Sequence, residues 1–341
     1  MTHDTLAIIW FGIWGVIWAV YFVLDGYTLG TGMLFPFLAK TDQEQKQLQE
    51  TIGPFWGGNE VWLITAGGAT FAAFPEAYAL MFSYLYSPLF LILFALFFRA
   101  IGLEFMYKHS SMKWRSFWKW AFFAGSTAIA LLFGVAFANL FYGLLIDAKG
   151  YQGNLLTLLH PYGLLGGITF ISLFLLSGSL WIDAKTSGTV NEKAHRLSRV
   201  MWFVTTAVVA IFLVATGNRT PLFDNFAQYP LLWIVPGLAL AVILVIPLLT
   251  RRSSSAWAFG AICTAIFLFI ATGFIGMFPN MLPSKLDAAY SLTLFEAKGS
   301  LLNLKIMFFV AIFIVPVVIF YQSWMYRIFR EKITPEDAKG Y

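Results

Sequence analysis

Long apolar runs limit the fold of this 341-residue chain more than any other feature. A helix needs about 20 predominantly apolar residues to cross the hydrocarbon core of a bilayer. Nine runs approach or exceed that length, at about 6–38, 53–74, 78–100, 117–145, 162–183, 200–216, 231–250, 256–278 and 302–325. A chain in lipid must satisfy its own backbone hydrogen bonds, so such runs predict helices. We therefore predict one membrane-embedded domain over residues 1–341, an all-α polytopic integral membrane protein.

Composition agrees with this class of protein. Hydrophobic residues make up 59% of the chain and charged residues only 11%, which is too apolar for a soluble domain. The net charge of +5 is small and favours basic loops over a nucleic-acid surface. The single cysteine, Cys263, lies in an apolar run. It therefore favours packing over a disulfide framework or a thiolate metal site.

Lysine and arginine predict the orientation of the spans. Seventeen of these residues fall on one side of the predicted spans and five on the other. The richer side of a membrane protein is cytoplasmic. We therefore expect the N-terminus outside and the C-terminus in the cytoplasm.

Three carboxylates stand in or beside the apolar runs. Asp25 lies in the first run, Glu60 lies in the second run, 54-PFWGGNEVWLITAGGATFAAFP-75, and Glu104 follows the third. A central Asp costs about 2.5–3.5 kcal/mol on insertion, so each acid is a functional candidate.

The expected depths of these acids form a ladder. Asp25 should lie ~20 Å and Glu60 ~10 Å from the cytoplasmic side, at 1.5 Å per helical residue. Glu104 falls at the cytoplasmic mouth of the third run, where the alternative is a surface ion pair with Arg99. Water or a partner's polar groups would have to bridge the gaps. Asp25 and Glu60 could form a proton relay, or they could hold neighbouring helices together as polar contacts.

Histidine placement and aromatic spacing bear on cofactors. His3, His109, His160 and His195 all fall in predicted loops, tails or helix ends, whereas a buried haem usually takes an axial His, Met or Cys. We predict no haem and no metal in this chain. Trp10, Trp14 and Trp18 share one face of the first helix. They could be a packing stripe or a bed for a quinone or haem edge.

Several segments together are typical of one family. They are 25-DGYTLGTGML-34, 53-GPFWGGNEVWLITAGGATFAAFP-75, 97-FFRAIG-102, 116-SFWKWAFFAGSTAIALLFGVAFANLFYG-143, 161-PYGLLGG-167, 256-AWAF-259 and 277-MFPNMLPS-284. Through them the chain resembles subunit II of the cytochrome bd-type quinol oxidases over nearly its whole length.

The resemblance implies a fold and an activity. Such oxidases oxidise quinol and reduce dioxygen to water in the bacterial inner membrane, and subunit I carries two haems b and one haem d. The subunit II fold is two four-helix bundles plus one peripheral helix. Some complexes contain a small single-helix subunit, and some relatives hold a structural quinone in this subunit.

The resemblance also assigns roles residue by residue. Asp25 matches the first-helix Asp implicated in cytoplasmic proton entry, and Glu104 stands where relatives carry an acid after the Phe-Phe-Arg stretch. Gly57 stands where many relatives carry Asp. Glu60 could take over at that place, or water could fill the space beside Gly57.

The expected function is therefore that of a non-haem subunit of a bd-type terminal oxidase. It would scaffold subunit I and supply a proton inlet, and the isolated chain would not be catalytic. The alternatives are a proton-coupled secondary transporter and a purely structural membrane partner. A transporter usually has internal repeats and broken helices, and no clear pair of either is visible.

Overall fold

The computed structural model describes residues 1–251, 255–336 and 338. Arg252 and Lys339, two of the basic residues expected in the cytoplasm, lie outside the described residues. The described helices are α1 (His3–Leu38), α2 (Asp42–Ile52), α3 (Trp56–Ala73), α4 (Pro75–Tyr84), α5 (Tyr86–Phe105), α6 (Met112–Tyr142), α7 (Leu155–Leu158), α8 (Pro161–Lys185), α9 (Thr189–Arg219), α10 (Asp224–Gln228), α11 (Ile234–Arg251), α12 (Ser255–Met277), α13 (Leu294–Ala297) and α14 (Leu301–Ile328). Two antiparallel ribbons pair β1 (Ile146–Asp147) with β2 (Gly150–Tyr151) and β3 (Asn280–Leu282) with β4 (Leu292–Thr293).

Within the described residues, eight helices are long and apolar enough to cross a membrane. They are α1, α5, α6, α8, α9, α11 with the turn before it, α12 and α14. The predicted second span corresponds to α3, which is not one of the eight because its 18 residues include Asn59, Glu60 and several glycines.

Hydrogen bonds define the two ends of the bundle and place the last residue of α3 at one of them. At the end that we call the α2 end, the Lys193 Nζ donates to the Leu38 carbonyl over 3.1 Å. At the opposite end, which we call the N-terminal end, His3 Nε2 lies 2.8 Å from the Gly299 carbonyl. The Gly299 N–H in turn donates to the carbonyl of Ala73, the last residue of α3, over 2.8 Å. Helix α3 therefore ends beside the N-terminus of α1, and its first turn lies beside the middle of α1, where Asn59 donates to Leu24 and Tyr27.

The long helices form two groups around a common core. Helices α1, α3, α5 and α6 pack together, and helices α8, α9, α11 and α12 form the second group. Contacts of α8 with α1 and α6 join the groups, and α14 lies at the edge of the bundle, mainly against α1 and α3. This arrangement confirms the predicted all-α polytopic fold, with α14 as the peripheral helix.

The two groups meet most closely where α1 crosses α8. A Cβ placed on Gly30 would collide with the backbone carbonyl of Phe174 and would lie 3.0 Å from the Cα of Gly178. A Cβ on Gly178 would meet the Gly30 Cα at 2.8 Å. Small residues allow such backbone contact between membrane helices. The glycines at this crossing are therefore required by the packing.

Helix α2 is a polar helix that the apolar pattern missed. Thr41 caps it, and Glu44 completes a capping box with the Thr41 N–H. Partial burial acts to raise the pKa of Glu44, but hydrogen bonds from Lys193, Lys40 and Thr41 outweigh it and hold the pKa at about 2. The helix is thus fixed in place by its first turn.

Buried glutamines attach the rest of α2 to the bundle. Gln47 Nε2 donates to the carbonyls of Ile333 at 2.7 Å and Ser187 at 3.0 Å. Gln49 Nε2 donates to the Leu103 carbonyl at 2.5 Å. Residues 329–335, which we call the C-terminal strap, cover this end, and Lys185 Nζ donates to the carbonyls of Phe329 and Glu331. The α2 end is therefore closed by polar contacts to main-chain carbonyls.

The predicted third span, 78–100, is wrong in its bounds. The chain forms α4, turns at Leu85, and starts the long helix α5 only at Tyr86. Helix α5 then continues to Phe105. Arg99, predicted to lie at the cytoplasmic surface, is therefore inside the helix, and Glu104 lies in its last turn.

Candidate functional site

Arg99 joins two of the three predicted carboxylates. Its Nη2 donates to Asp25 Oδ1 over 2.8 Å, and its Nη1 donates to Glu60 Oε1. The three residues come from α5, α1 and α3, so one guanidinium connects three helices. An Arg fork suits this task because its planar donors engage two carboxylates in fixed directions. We call Asp25, Glu60 and Arg99 the ion cluster.

The ion cluster is closed on one side and partly open on the other. Asp25 is 0% exposed and Arg99 is 1% exposed, whereas the Glu60 side chain is 22% exposed. Thr28 Oγ1 accepts a hydrogen bond from Arg99 Nη2 at 2.6 Å and donates to the Asp25 carboxylate. Glu60 is therefore the member that can exchange with the surroundings of the chain.

The charges of the ion cluster do not balance when both acids are ionised. Two carboxylates and one guanidinium leave one negative charge in the interior of the bundle. Unbalanced buried charge is costly, whereas one bound proton makes the group neutral. The arrangement is therefore chemically suited to hold a single proton between two acids.

The predicted depth ladder is wrong for Asp25 and Glu60, because both side chains contact the same guanidinium. The reason is α2, which leads the chain back along the bundle after Leu38. Its last residues lie beside Trp181, whose indole donates to the Thr51 carbonyl over 3.1 Å. Since α3 starts only after this return, Glu60 reaches the level of Asp25.

Glu104 is not part of the ion cluster. It lies five residues after Arg99, ~7.5 Å further along α5 and on a different face of the helix. Among the described residues it forms no hydrogen bond and no ion pair. The expected surface pair between Glu104 and Arg99 is therefore wrong, because Arg99 binds Asp25 and Glu60 instead.

A second polar group lies next to the ion cluster at the meeting of α1, α3 and α14. Asn59 is fully buried, and its Nδ2 donates to the Leu24 carbonyl at 2.8 Å and to the Tyr27 hydroxyl at 3.1 Å. Gln322 Nε2 donates to Asn59 Oδ1 at 3.2 Å, and the hydroxyls of Tyr27 and Tyr326 lie 2.8 Å apart. These bonds fix the first turn of α3, and with it Glu60.

A cavity of about 650 Å³ lies between α1, α3, α5 and α6. Its walls are apolar and include Trp14, Trp18, Phe71, Phe90 and Phe133. The Trp14 indole donates to Thr70 Oγ1 at 2.8 Å, and Trp10 donates to the Leu304 carbonyl at 3.1 Å. The tryptophan stripe of α1 therefore packs against α3 and α14, while Trp14 and Trp18 also line the cavity.

The glycines of α3 do not pack against any other element in the part of the chain that the structure describes. A Cβ on Gly57, Gly58, Gly67 or Gly68 would meet no atom within 4 Å. Gly57, Gly58 and Gly68 belong to an exposed face of α3, together with Val61, Ile64 and Thr65. We call these six residues the open face of α3. It borders Glu60 on the outer side of the bundle.

Sequence reasoning missed Arg99 and Thr28 as site residues. It places Arg99 at the cytoplasmic end of the third span because that predicted span ends at residue 100. The available signal was the apolar sequence on both sides of it, LFLILFALFF before and AIGLEF after. A charge with such flanks is an intramembrane charge, and its partner should be sought among the intramembrane acids.

Comparisons with known proteins agree over the whole chain. The sequence model of the family described as Cytochrome bd terminal oxidase subunit II matches residues 6–329. Cytochrome bd-I ubiquinol oxidase subunit 2 of Escherichia coli K12 is 34% identical, over 99% of this chain and 97% of the relative. Cytochrome bd ubiquinol oxidase subunit 2 of Bacillus subtilis is 33% identical, over 99% of both chains.

A solved structure supports the same fold. The bd oxidase from Geobacillus thermodenitrificans contains a chain that matches with a TM-score of 0.79 at 15% identity, covering 95% of this chain and 98% of that one.

The long apolar helices of the bundle define a multi-pass membrane protein. With the sequence matches, this class becomes specific: the chain belongs to the family of cytochrome bd terminal oxidase subunit II. It is thus a subunit of an oxidoreductase complex, which confirms the resemblance and the expected enzyme class. Family membership implies a partner, subunit I.

Proposed function

We propose that this chain scaffolds the haem-bearing subunit I and supplies the proton inlet of an oxidase that oxidises quinol and reduces dioxygen to water. In this proposal the α2 end faces the cytoplasm and the N-terminus lies outside. The basic residues support that orientation, since most of them remain at the α2 end after Arg99 is assigned to the interior. The haems b and d would be carried by subunit I.

The ion cluster is the observation that supports the proposed proton inlet. It can hold one proton in the low-dielectric interior, and Glu60 is its exposed member. In the proposed path a proton from the α2 end passes Glu104, reaches Glu60 and Asp25, and leaves toward subunit I. Arg99 would keep the two acids at one level and offset the charge of whichever acid is ionised. This extends the relay interpretation, although polar contact between helices explains the same bonds in a static structure.

Amide substitution separates the relay from a purely structural role. Asp25→Asn and Glu60→Gln preserve size and hydrogen bonding but cannot cycle a proton. We expect each variant to assemble with normal haem content and to lose turnover by at least about tenfold, ~1.4 kcal/mol in barrier. The measurement is quinol-driven oxygen uptake together with single-turnover proton uptake by the intact complex.

A matched control uses Glu76→Gln, since Glu76 is an exposed acid on α4 away from the ion cluster. It should keep wild-type turnover. If both cluster variants also retain wild-type rates with intact haem spectra, the relay is refuted and the structural role remains.

The open face of α3 is evidence for the proposed scaffold role. Glycines on a membrane helix normally permit close approach of another helix, yet none of the described residues approaches Gly57 or Gly58. Next to this face, α14 buries only Leu304 among its residues in the described chain. We infer that subunit I packs against α3 and α14, which would also set Glu60 at the border between the subunits.

Gly58→Leu tests this interface. The added side chain has free space within this chain, so the chain should still fold and insert. We expect recovery of subunit I in a gentle detergent purification to fall at least about fivefold, because the helices can no longer approach closely. Gly237→Leu is the control, since Gly237 is equally open but lies on α11 in the other helix group. Equal recovery of subunit I with both variants would remove α3 from the interface.

The cavity supports a structural quinone as a further ligand of this subunit. Its volume of about 650 Å³ lies in the range of small-molecule sites, and its aromatic and aliphatic walls fit an isoprenoid tail. No redox role follows for such a ligand.

A further inference from the structure

The ion cluster and the cavity are neighbours on three helices at once. On α5, Leu96 lines the cavity and Arg99 follows it by three residues. On α3, Glu60 precedes the lining residue Leu63 by three residues. Three residues of helix correspond to ~4.5 Å along the axis. The charged group therefore lies about one helical turn beyond the inner end of the cavity.

On α1 the interval between them is occupied by Tyr21. Trp18 lines the cavity, Tyr21 comes three residues later, and Asp25 comes four residues after that, so all three lie on one face of the helix. Tyr21 is fully buried, and its ring packs against Trp18, with ring centroids 6.1 Å apart. Its hydroxyl lies near the Asp25 carboxylate, and within the described residues no hydrogen bond of normal geometry satisfies it.

Each of these three residues carries a buried polar atom that has no hydrogen-bond partner in the described part of the chain. The atoms are Trp18 Nε1, Tyr21 Oη and Asp25 Oδ2, and Arg99 Nε is a fourth beside them. Native proteins rarely leave such atoms unpaired, because each costs roughly 1–3 kcal/mol. Four of them, spread over ~10 Å of α1 from the cavity wall to the charged group, indicate a ligand that can both donate and accept and can extend over that distance.

We propose that a file of bound water fills this place and joins Asp25 to the inner end of the cavity past Tyr21 and Trp18. Water suits the four atoms because it accepts from the indole and guanidinium N–H groups and donates to the carboxylate oxygen. The Tyr21 hydroxyl can do both and so connects the two parts of the file. The file then connects the ion cluster to the inner end of the apolar cavity. The passage of protons along the file rests on the relay proposed above, whereas the presence of water does not.

Tyr21→Phe is the deciding variant. It removes the hydroxyl and keeps the ring that packs against Trp18 and Phe133. In the intact complex we expect a cryo-electron microscopy map to show ordered water within 2.6–3.2 Å of Tyr21 Oη and Asp25 Oδ2, and Tyr21→Phe to lose it. The infrared difference band of weakly bonded internal water, identified by its shift in H₂¹⁸O, should disappear in the same variant. If protons leave Asp25 along the file, single-turnover proton uptake should also slow by at least about fivefold, since a file that loses its connecting hydroxyl must cross a wider gap.

Tyr162→Phe provides the matched control. Tyr162 is also buried, but its hydroxyl bonds Thr216 at 2.8 Å in the second helix group. It should leave the water band and the proton uptake unchanged. If Tyr21→Phe does not assemble, Trp18→Phe removes one of the four polar atoms while keeping an aromatic ring, and it should weaken the same water band.

The outcomes distinguish the water file from the relay. A dry contact between Tyr21 and Asp25 in the map, or an unchanged water band in Tyr21→Phe, overturns the file. If the water band is lost in Tyr21→Phe while Asp25→Asn and Glu60→Gln keep full turnover, the file stands and the relay fails.

Discussion

Arg99→Met is expected to prevent most of the complex from assembling. The substitution leaves Asp25 and Glu60 close together in the interior with no cation between them. Removing one partner from a buried ion pair costs about 3–5 kcal/mol, because the remaining charge stays buried and uncompensated. The amount of haem-containing complex recovered from membranes at equal expression measures the effect, and it should fall to a small fraction of the wild-type yield.

Charge removal provides the control for this experiment. The triple variant Arg99→Met, Asp25→Asn, Glu60→Gln has no net charge in the cluster and should recover much of the lost assembly. It should remain inactive, because no group is left to carry a proton. An Arg99→Met variant that accumulates at the wild-type level would mean that the carboxylates are neutral or solvated in the complex, contrary to the ion pairs described.

Gly30→Leu is expected to be equally damaging for a different reason. The first atom of the new side chain would overlap the carbonyl of Phe174, and neither α1 nor α8 can move away without opening the contact between the two helix groups. Overpacking usually costs about 1–3 kcal/mol, and we expect at least the upper figure here because the obstacle is backbone. The measurement is the temperature at which the purified complex loses its monodisperse peak.

Gly12→Leu serves as the comparison for Gly30→Leu. Gly12 is on the same helix, and a side chain there meets no atom within 4 Å. The temperature at which the Gly12→Leu complex loses its monodisperse peak should stay within a few degrees of the wild-type value. Equal shifts for the two variants would show that leucine itself, and not the crossing with α8, disturbs α1.

The helices of this protein were predictable where the sequence is apolar, because a long apolar segment that spans lipid satisfies its backbone hydrogen bonds by forming a helix. The predicted first run, 6–38, lies within α1, and the last, 302–325, lies within α14. The predicted third span has the wrong bounds because residues 78–100 form one continuous apolar segment in the sequence. The break at Leu85 between α4 and α5 has no glycine, and only Pro88 nearby marks the start of the second helix.

The candidate site was predictable in its residue types and not in its geometry. Asp25 and Glu60 were identified because acids are costly in lipid, and that argument is local to each residue. Their contact through Arg99 depends on how far α2 returns along the bundle. Helix α2 is polar, and its buried side is built from Gln47 and Gln49 bonding carbonyls that are distant in the sequence. The apolar part of that side is only Leu48 and Ile52, one turn apart, which is too short a pattern to predict the helix.

The C-terminal strap has a consequence for the order in which the protein is made. Gln47 bonds the Ile333 carbonyl, and Lys185 bonds the carbonyls of Phe329 and Glu331. Ribosomes deliver a chain from its N-terminus, so α2 leaves the ribosome long before these carbonyls exist. Gln47 of α2 therefore lacks its Ile333 partner until every later helix has been synthesised and inserted. The α2 end of the bundle therefore begins to form early in synthesis and is completed last. In a nascent chain its hydrogen bonds to the C-terminal strap cannot form until residue 333 has left the ribosome.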